Sequence, residues 1–144
     1  MANEATIQTS LIIRKTSGSI TQIDYLSRPQ TFNADVTGAK GPTPGAISVS
    51  TSGTDLDLSE LTTPGLCRIS NQDATNYVEY GIYDSSSARF FPLGELLPGE
   101  SYILRLSRNV GEEYYSTTGT DAGNSVRFKA DTAAVVVLVE AFEK

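Results

Sequence analysis

Asp55 and Asp57 lie two residues apart and share a face if their segment is extended, whereas the adjacent Glu112 and Glu113 would point oppositely from a strand. Paired carboxylates are the one catalytic constellation for which this sequence has the parts, since glycoside hydrolases set two of them on a rigid scaffold. Other templates lack components. The chain has no histidine, so a serine nucleophile has no imidazole base and Cys67, the only cysteine, has no imidazole partner. One thiol without imidazole does not build a zinc site. Oxygen ligands occur at Asp55-Leu56-Asp57 and Asp121-Ala122-Gly123-Asn124, but neither follows a calcium-loop spacing, and both read as turn formers. No glycine-rich segment matches a phosphate or dinucleotide signature. With no tryptophan in 144 residues there is little to line a sugar cleft, so these acids are expected in water at the surface. The reading is a non-enzymatic chain with no metal and no cofactor, and Cys67 as a small buried hydrophobe.

Tyrosine is the more suggestive residue. Tyr77, Tyr80 and Tyr83 fall in one segment, and Tyr114-Tyr115 sit in a polar one. In a strand, Tyr80 shares its face with Val78 and Ile82 and is expected in the core. Tyr77 and Tyr83 then face outward. A tyrosine ring buries much area and keeps a polar tip, which suits protein interfaces. Tyr77, Tyr83, Tyr114 and Tyr115 are therefore the candidate contact residues.

The elements that must position them are short apolar-alternating segments separated by turn signals. Strands are expected at Thr6–Lys15, with Ile7, Leu11 and Ile13 on one face, and at Ile20–Leu26, after a hairpin loop at 15–19. Gln30–Thr37 carries Phe32, Ala34 and Val36 at period two. Ala46–Thr51 and Gly65–Asn71 follow, with residues 52–63 as a connecting loop. Asn76–Asp84 and Ala88–Leu93 flank a turn at 84–87. Glu100–Ser107 alternates Tyr102, Leu104 and Leu106 with polar residues, and Ser125–Asp131 alternates Val126, Phe128 and Ala130. Residues 108–124 read as a long polar loop with one short strand at 113–116. Ala133–Phe142 is apolar on both faces, and its valines favour a strand covered on both sides. Pro44-Gly45, Pro64-Gly65 and Pro98-Gly99 are expected to be type II turns. With no long amphipathic helix, the count is eight or nine strands. The expected fold is one all-β domain over residues 1–144, an antiparallel β-sandwich of jelly-roll type, with residues 1–6 open to an extended N-terminal arm.

Charge narrows the partners. The formal net charge is −6 and the eleven basic residues are scattered, so nucleic acid is not an expected partner. No segment approaches the ~20 apolar residues of a membrane helix, and Met1–Thr6 lacks the basic start of a secretory signal, so the expectation is a product made in the cytoplasm and not in a membrane.

The stretch from Pro64 to Gly81, with Asn71-Gln72-Asp73-Ala74-Thr75-Asn76-Tyr77-Val78 at its centre, resembles small bacteriophage virion proteins. Phe91-Pro92-Leu93, Leu97-Pro98-Gly99-Glu100, Arg105-Leu106 and the closing Lys129–Val135 follow in the same order. The resemblance covers a little over half the chain and is to capsid cement, or decoration, proteins. It implies a β-sandwich that forms a homotrimer or homodimer, sits on the capsid exterior of the virion and clamps neighbouring copies of the major capsid protein. The alternative is a tail-associated or receptor-binding β-sandwich module.

Overall fold

The structure, a computed structural model, describes residues 5–34, 36, 40–106 and 124–143. All regular structure among them is antiparallel β: twelve strands and no helix. They fall into two compact units, residues 1–36 and 37–144.

The first unit is a two-stranded ribbon. β1 (Ala5–Thr9) pairs with β4 (Gln30–Ala34), and β2 (Ile12–Ser17) with β3 (Ile20–Leu26). The single strand expected at Thr6–Lys15 is thus broken at Ser10-Leu11. Across the break the Leu11 amide donates to Ser27 Oγ at 2.7 Å, and the Ser27 amide donates to the Leu11 carbonyl at 2.9 Å. These bonds satisfy the backbone where the ladder stops, just before Arg28-Pro29. Leu11 is therefore exposed and does not share a buried face with Ile7. Gly18, at φ 62°, heads the two-residue turn between Ser17 and Ile20, the position where a II′ hairpin turn favours glycine. Lys15 Nζ and Asp24 form an exposed ion pair at 3.0 Å.

The second unit is a sandwich of two four-stranded sheets. One has the order β10-β7-β12-β5 and the other β6-β11-β8-β9. Here β5 is Thr43–Val49, β6 Thr54–Asp55, β7 Pro64–Asn71, β8 Val78–Asp84, β9 Arg89–Leu96, β10 Ser101–Arg105, β11 Asn124–Ala130 and β12 Val135–Glu143. Period two places Val135, Val137, Val139 and Ala141 of β12 inward beside Cys67 and Ile69 of β7. Val78, Leu96, Phe128 and Ala130 face them from the other sheet, and one apolar cluster contains both sets. At roughly 1.5–3 kcal/mol for each fully buried Val, Leu, Ile or Phe, this layer contact is the main stabilising term.

Several expectations change. The outer face of β12 is not covered among the described residues: Val136 is 45% exposed, because β12 is internal to its sheet but has the second sheet on one side only. Residues 52–63 are more than a connection, since they supply β6 and the buried Leu56, Leu58 and Leu61. Pro44-Gly45 lies inside β5 paired to Glu140 and Val139, and Pro64-Gly65 opens β7. Only Pro98-Gly99 is a turn, with the Glu100 amide bonded to the Leu97 carbonyl at 3.0 Å and Gly99 at φ 77°. The described residues hold twelve strands rather than the expected eight or nine; the break of Thr6–Lys15 into β1 and β2 and the short β6 are two of the additions, and β5 begins earlier than expected, at Thr43.

Candidate functional site

The outer face of the β6-β11-β8-β9 sheet carries the most organised polar cluster. β11 and β6 are in register at Arg127 and Asp55. Arg127 Nε donates to Asp55 Oδ1 at 2.6 Å and Nη2 to Oδ2 at 3.0 Å, a bidentate pair, and the Ser125 hydroxyl donates to Oδ1 at 2.7 Å. Burial opposes ionisation of Asp55, but the hydrogen bonds from Arg127 and Ser125 and the guanidinium charge outweigh it and hold the carboxyl below its ordinary value. The guanidinium carbon lies 3.3 Å from the centroid of the Tyr83 ring. A depression of about 500 Å³ opens beside it, lined by Tyr83, Phe90, Pro92, Arg127 and Lys129 among others.

Tyr83 therefore faces outward with its ring already engaged by Arg127. Tyr77 is half-buried before β8: Asp131's charge, then partial burial, push its phenol above the ordinary value, and the Asp131 amide bonds the Tyr77 carbonyl at 3.2 Å. Tyr80 packs against the core. Tyr114 and Tyr115 lie outside the described residues, as do Glu112, Glu113 and Asp121–Gly123.

The two acids of the 55–57 segment are not brought together for chemistry. Leu56 between them is buried, Asp55 is committed to Arg127, and exposed Asp57 accepts from the Ser59 amide at 2.9 Å. The Cys67 thiol is buried and pushed up to about 12, by burial first and then by the charge of Glu140, so it stays neutral. The Asn71–Val78 motif closes on itself. Buried Asn71 donates through Nδ2 to the carbonyls of Asn76 (2.9 Å) and Leu96 (3.1 Å), and accepts from the Asp73 amide at 2.9 Å. Asp73 Oδ1 in turn accepts from the amides of Thr75 and Asn76, each at 2.7 Å. Those residues build a loop that ties the two sheets together.

A second surface had no tyrosine cluster to announce it. Among the described residues β9 and β10 are edge strands of different sheets, joined by the Leu97–Glu100 turn, so these two edges lie on the same side of the sandwich. Leu93 there is 71% exposed, and Phe91, Leu97 and Tyr102 are exposed as well, while Ile103 is exposed on the outer face of its sheet beside Arg68. The sequence signal was present in Phe91, Leu93 and Ile103, but alternation alone does not say which sheet face or edge lacks a covering layer. Glu100 pins this side: its carboxylate accepts from the Leu97 amide at 2.9 Å and the Tyr102 hydroxyl at 3.2 Å. Arg89 lies over the Phe91 ring at 5.3 Å from its centroid.

In comparisons with known proteins, no family model, no curated protein and no solved structure matches this chain.

Proposed function

We propose that the chain is a structural component of a bacteriophage virion, a capsid decoration protein that binds the outside of the assembled head and cements neighbouring major capsid subunits. The observation that carries this reading is the side of the sandwich where, among the described residues, edge strands β9 and β10 have no further strand beside them and Phe91, Leu93, Leu97 and Tyr102 are exposed. Exposed apolar residues beside open strand edges mark surfaces that another protein covers. Aromatic and aliphatic anchors rimmed by Glu95, Glu100 and Arg89 are the composition of a protein interface rather than of a substrate cleft. Asp55 and Cys67 support a non-catalytic role, the one committed to an ion pair and the other buried and neutral. The net charge of −6 suits the outer surface of a shell better than the side facing packaged nucleic acid. Cementing then works by mass action: a chain that binds the assembled shell and not its free subunits stabilises the shell.

The depression beside Tyr83 and Lys129 favours a second reading, a tail-associated module that recognises a receptor. The test is co-sedimentation of the purified chain with assembled capsids and with free capsid subunits of the phage that encodes it, together with electron microscopy of the virion. The cement reading expects binding to assembled capsids only, and density at many positions on the head. Equal binding to free subunits, or density confined to the tail, would overturn it. Leu93→Asp should abolish capsid binding while leaving the fold intact, because Leu93 contributes little to the core.

A further inference from the structure

Period two puts Glu79, Gly81 and Tyr83 of β8 on the outer face of the second unit's β6-β11-β8-β9 sheet, so glycine leaves a gap between two large side chains. No larger residue fits there. A Cβ at Gly81 would run into the Phe91 carbonyl oxygen and lie 2.8 Å from Pro92 Cα, because β9 closes against it at the register shift between Tyr80 and Gly81. Backbone therefore floors the depression of about 500 Å³ beside Tyr83. Cross-strand neighbours wall it. On β9, Phe90 stands opposite Tyr83 and Pro92 opposite Gly81. On β11, Arg127 stands opposite Gly81 and Lys129 opposite Glu79. The volume falls within the ~300–1,000 Å³ of small-ligand sites.

Charge narrows the ligand. Arg127 is neutralised by Asp55 at 2.6 Å and lies against one face of the Tyr83 ring, so both groups are engaged within the protein. Lys129 and Glu79 oppose each other in register, yet no ion pair joins them, which leaves a separate donor and acceptor at one end of the hollow. Glu95 is the neighbour of Glu79 on its other side. An anionic ligand would meet these carboxylates in a chain of net charge −6, and a cationic one would meet Lys129 and Arg127. An apolar ligand would strip water from both charges without replacing its hydrogen bonds. A neutral polyhydroxylated ring meets none of these penalties. Its hydroxyls accept from an ammonium and donate to a carboxylate, bonds stronger than those between neutral groups. Its C–H face packs on an aromatic ring, which Phe90 supplies at the other end. Tyr83 and Phe90 together provide the ring surface that a sequence without tryptophan did not announce.

We infer that this hollow binds a neutral sugar, one hexopyranose unit of a glycan, stacked on Phe90 and hydrogen-bonded to Glu79 and Lys129. The inference rests on the receptor reading of the same depression, to which it adds the ligand class. Asp55 and Arg127 act as positioning residues that hold the Tyr83 ring beside Phe90. A site open on its solvent side covers one face of a sugar, so a dissociation constant on the order of 1 mM is expected.

The experiment is titration of the isotope-labelled full chain with the methyl glycosides of glucose, galactose, mannose and N-acetylglucosamine, followed through amide chemical shifts. The methyl glycoside of sialic acid and inorganic phosphate serve as anionic probes. At least one neutral glycoside should saturate shifts of the amides around Gly81 on β8, β9 and β11, and both anions should bind more weakly. Phe90→Ala should raise the dissociation constant about 5-fold through lost stacking. Glu79→Gln should raise it about 10-fold through loss of the charged acceptor. Circular dichroism should show both variants folded. Four neutral glycosides without effect, shifts centred elsewhere, tighter binding of an anion, or a folded variant that binds like the wild type would each overturn the inference. The wild-type shift map needs no variant, so a variant that fails to fold leaves the test standing. Electron microscopy of the virion scores the receptor reading separately. Density on the tail without sugar binding counts against the sugar site alone, and sugar binding by a chain found only on the head counts against the tail location alone.

Discussion

Ile23 of the ribbon and Ile69 of the sandwich are both strand isoleucines in apolar, threonine- and serine-bearing segments, yet the first is 57% exposed and the second 1%. Their own strands do not account for the difference. Each is β-branched, in extended backbone and paired antiparallel to a neighbour. Ile69 has a second sheet above it, whereas the described residues of the first unit form only two-stranded pairs. A strand orders side chains into faces, and a second layer is needed to take a face out of water. Apolar residues in strands without that layer contribute less to the stability of the folded chain. This contrast between ribbon and sandwich can be broken or sharpened by matched substitutions.

The largest difference should come from phenylalanine. Phe128 is 1% exposed in the common core and Phe32 is 46% exposed in the ribbon. Phe128→Ala removes buried area and leaves a cavity, so a loss of about 3–5 kcal/mol is expected in urea unfolding. Phe32→Ala should change the same measurement by less than ~0.5 kcal/mol. Comparable losses would mean that the ribbon unfolds with the sandwich.

The next pair is polar. Asn71 is buried, and Asn71→Ala leaves the carbonyls of Leu96 and Asn76 and the Asp73 amide without their partner, for a loss of about 1–3 kcal/mol. Asn33 in the ribbon only accepts from the exposed Thr6 hydroxyl at 3.3 Å, and Asn33→Ala should be within ~0.5 kcal/mol of wild type. This pair also marks a limit of reading by pattern. The segment from Asn71 to Val78 carries the likeness to phage proteins, and its side chains turn out to be spent on closing a loop. The repeated Asn, Asp and Thr follow from that loop's hydrogen bonds, which any protein needing such a turn would select.

Much of the fold was legible for one reason: period two is imposed by the pleat. It located β7, β8, β11 and β12 and put Cys67, Ile69, Val126 and Phe128 on the correct faces. What alternation cannot encode is the presence of a covering layer, which depends on residues far away in sequence. Hence Val136 was expected to be covered and is 45% exposed, and the leucines of the 56–61 segment were expected in a loop and form part of the core. Pro-Gly pairs are local signals too, but β5 absorbs one of them. Gly45 takes φ 85° within the strand opposite Val139, and the ladder continues through Pro44. The same limit applies to the candidate site. Tyr83's outward direction could be read from parity, but its ring's engagement by Arg127 depends on β11, which lies more than 40 residues further along the chain.

Ion pairs give the third contrast. Asp55 and Arg127 are partly buried, and Asp55 ionises more readily in the folded chain than in the unfolded one. A carboxylate with a lowered folded pKa stabilises the fold wherever it is charged in the unfolded chain. Its contribution is therefore complete above the unfolded value of ~3.9 and disappears as pH falls through the lower folded value. Asp55→Asn should cost about 1–2 kcal/mol at pH 7 and little at the acid end, flattening the acid limb of a stability-against-pH curve. Lys15 and Asp24 make an exposed pair in the ribbon, and Asp24→Asn should move unfolding by less than ~0.5 kcal/mol at any pH. A steeper acid limb in the Asp55 variant would contradict the assigned pairing.

The smallest and most discriminating contrast uses one substitution in two turns. Gly18 and Gly99 both have positive φ, at 62° and 77°, and a methyl group added at either meets no atom within 4 Å. Alanine at either site is therefore penalised by the backbone alone, by about 1 kcal/mol. In Gly99→Ala that strain sits in the turn joining the two sheets, so it should appear in global unfolding as a melting temperature lower by about 4 °C. In Gly18→Ala it sits at the ribbon's tip, which can open without disturbing the sandwich core. The melting temperature should then stay unchanged, while ribbon amides exchange faster. An equal fall in melting temperature for the two variants would show that ribbon and sandwich share one cooperative unit, and that the exposed isoleucines of the ribbon contribute to it.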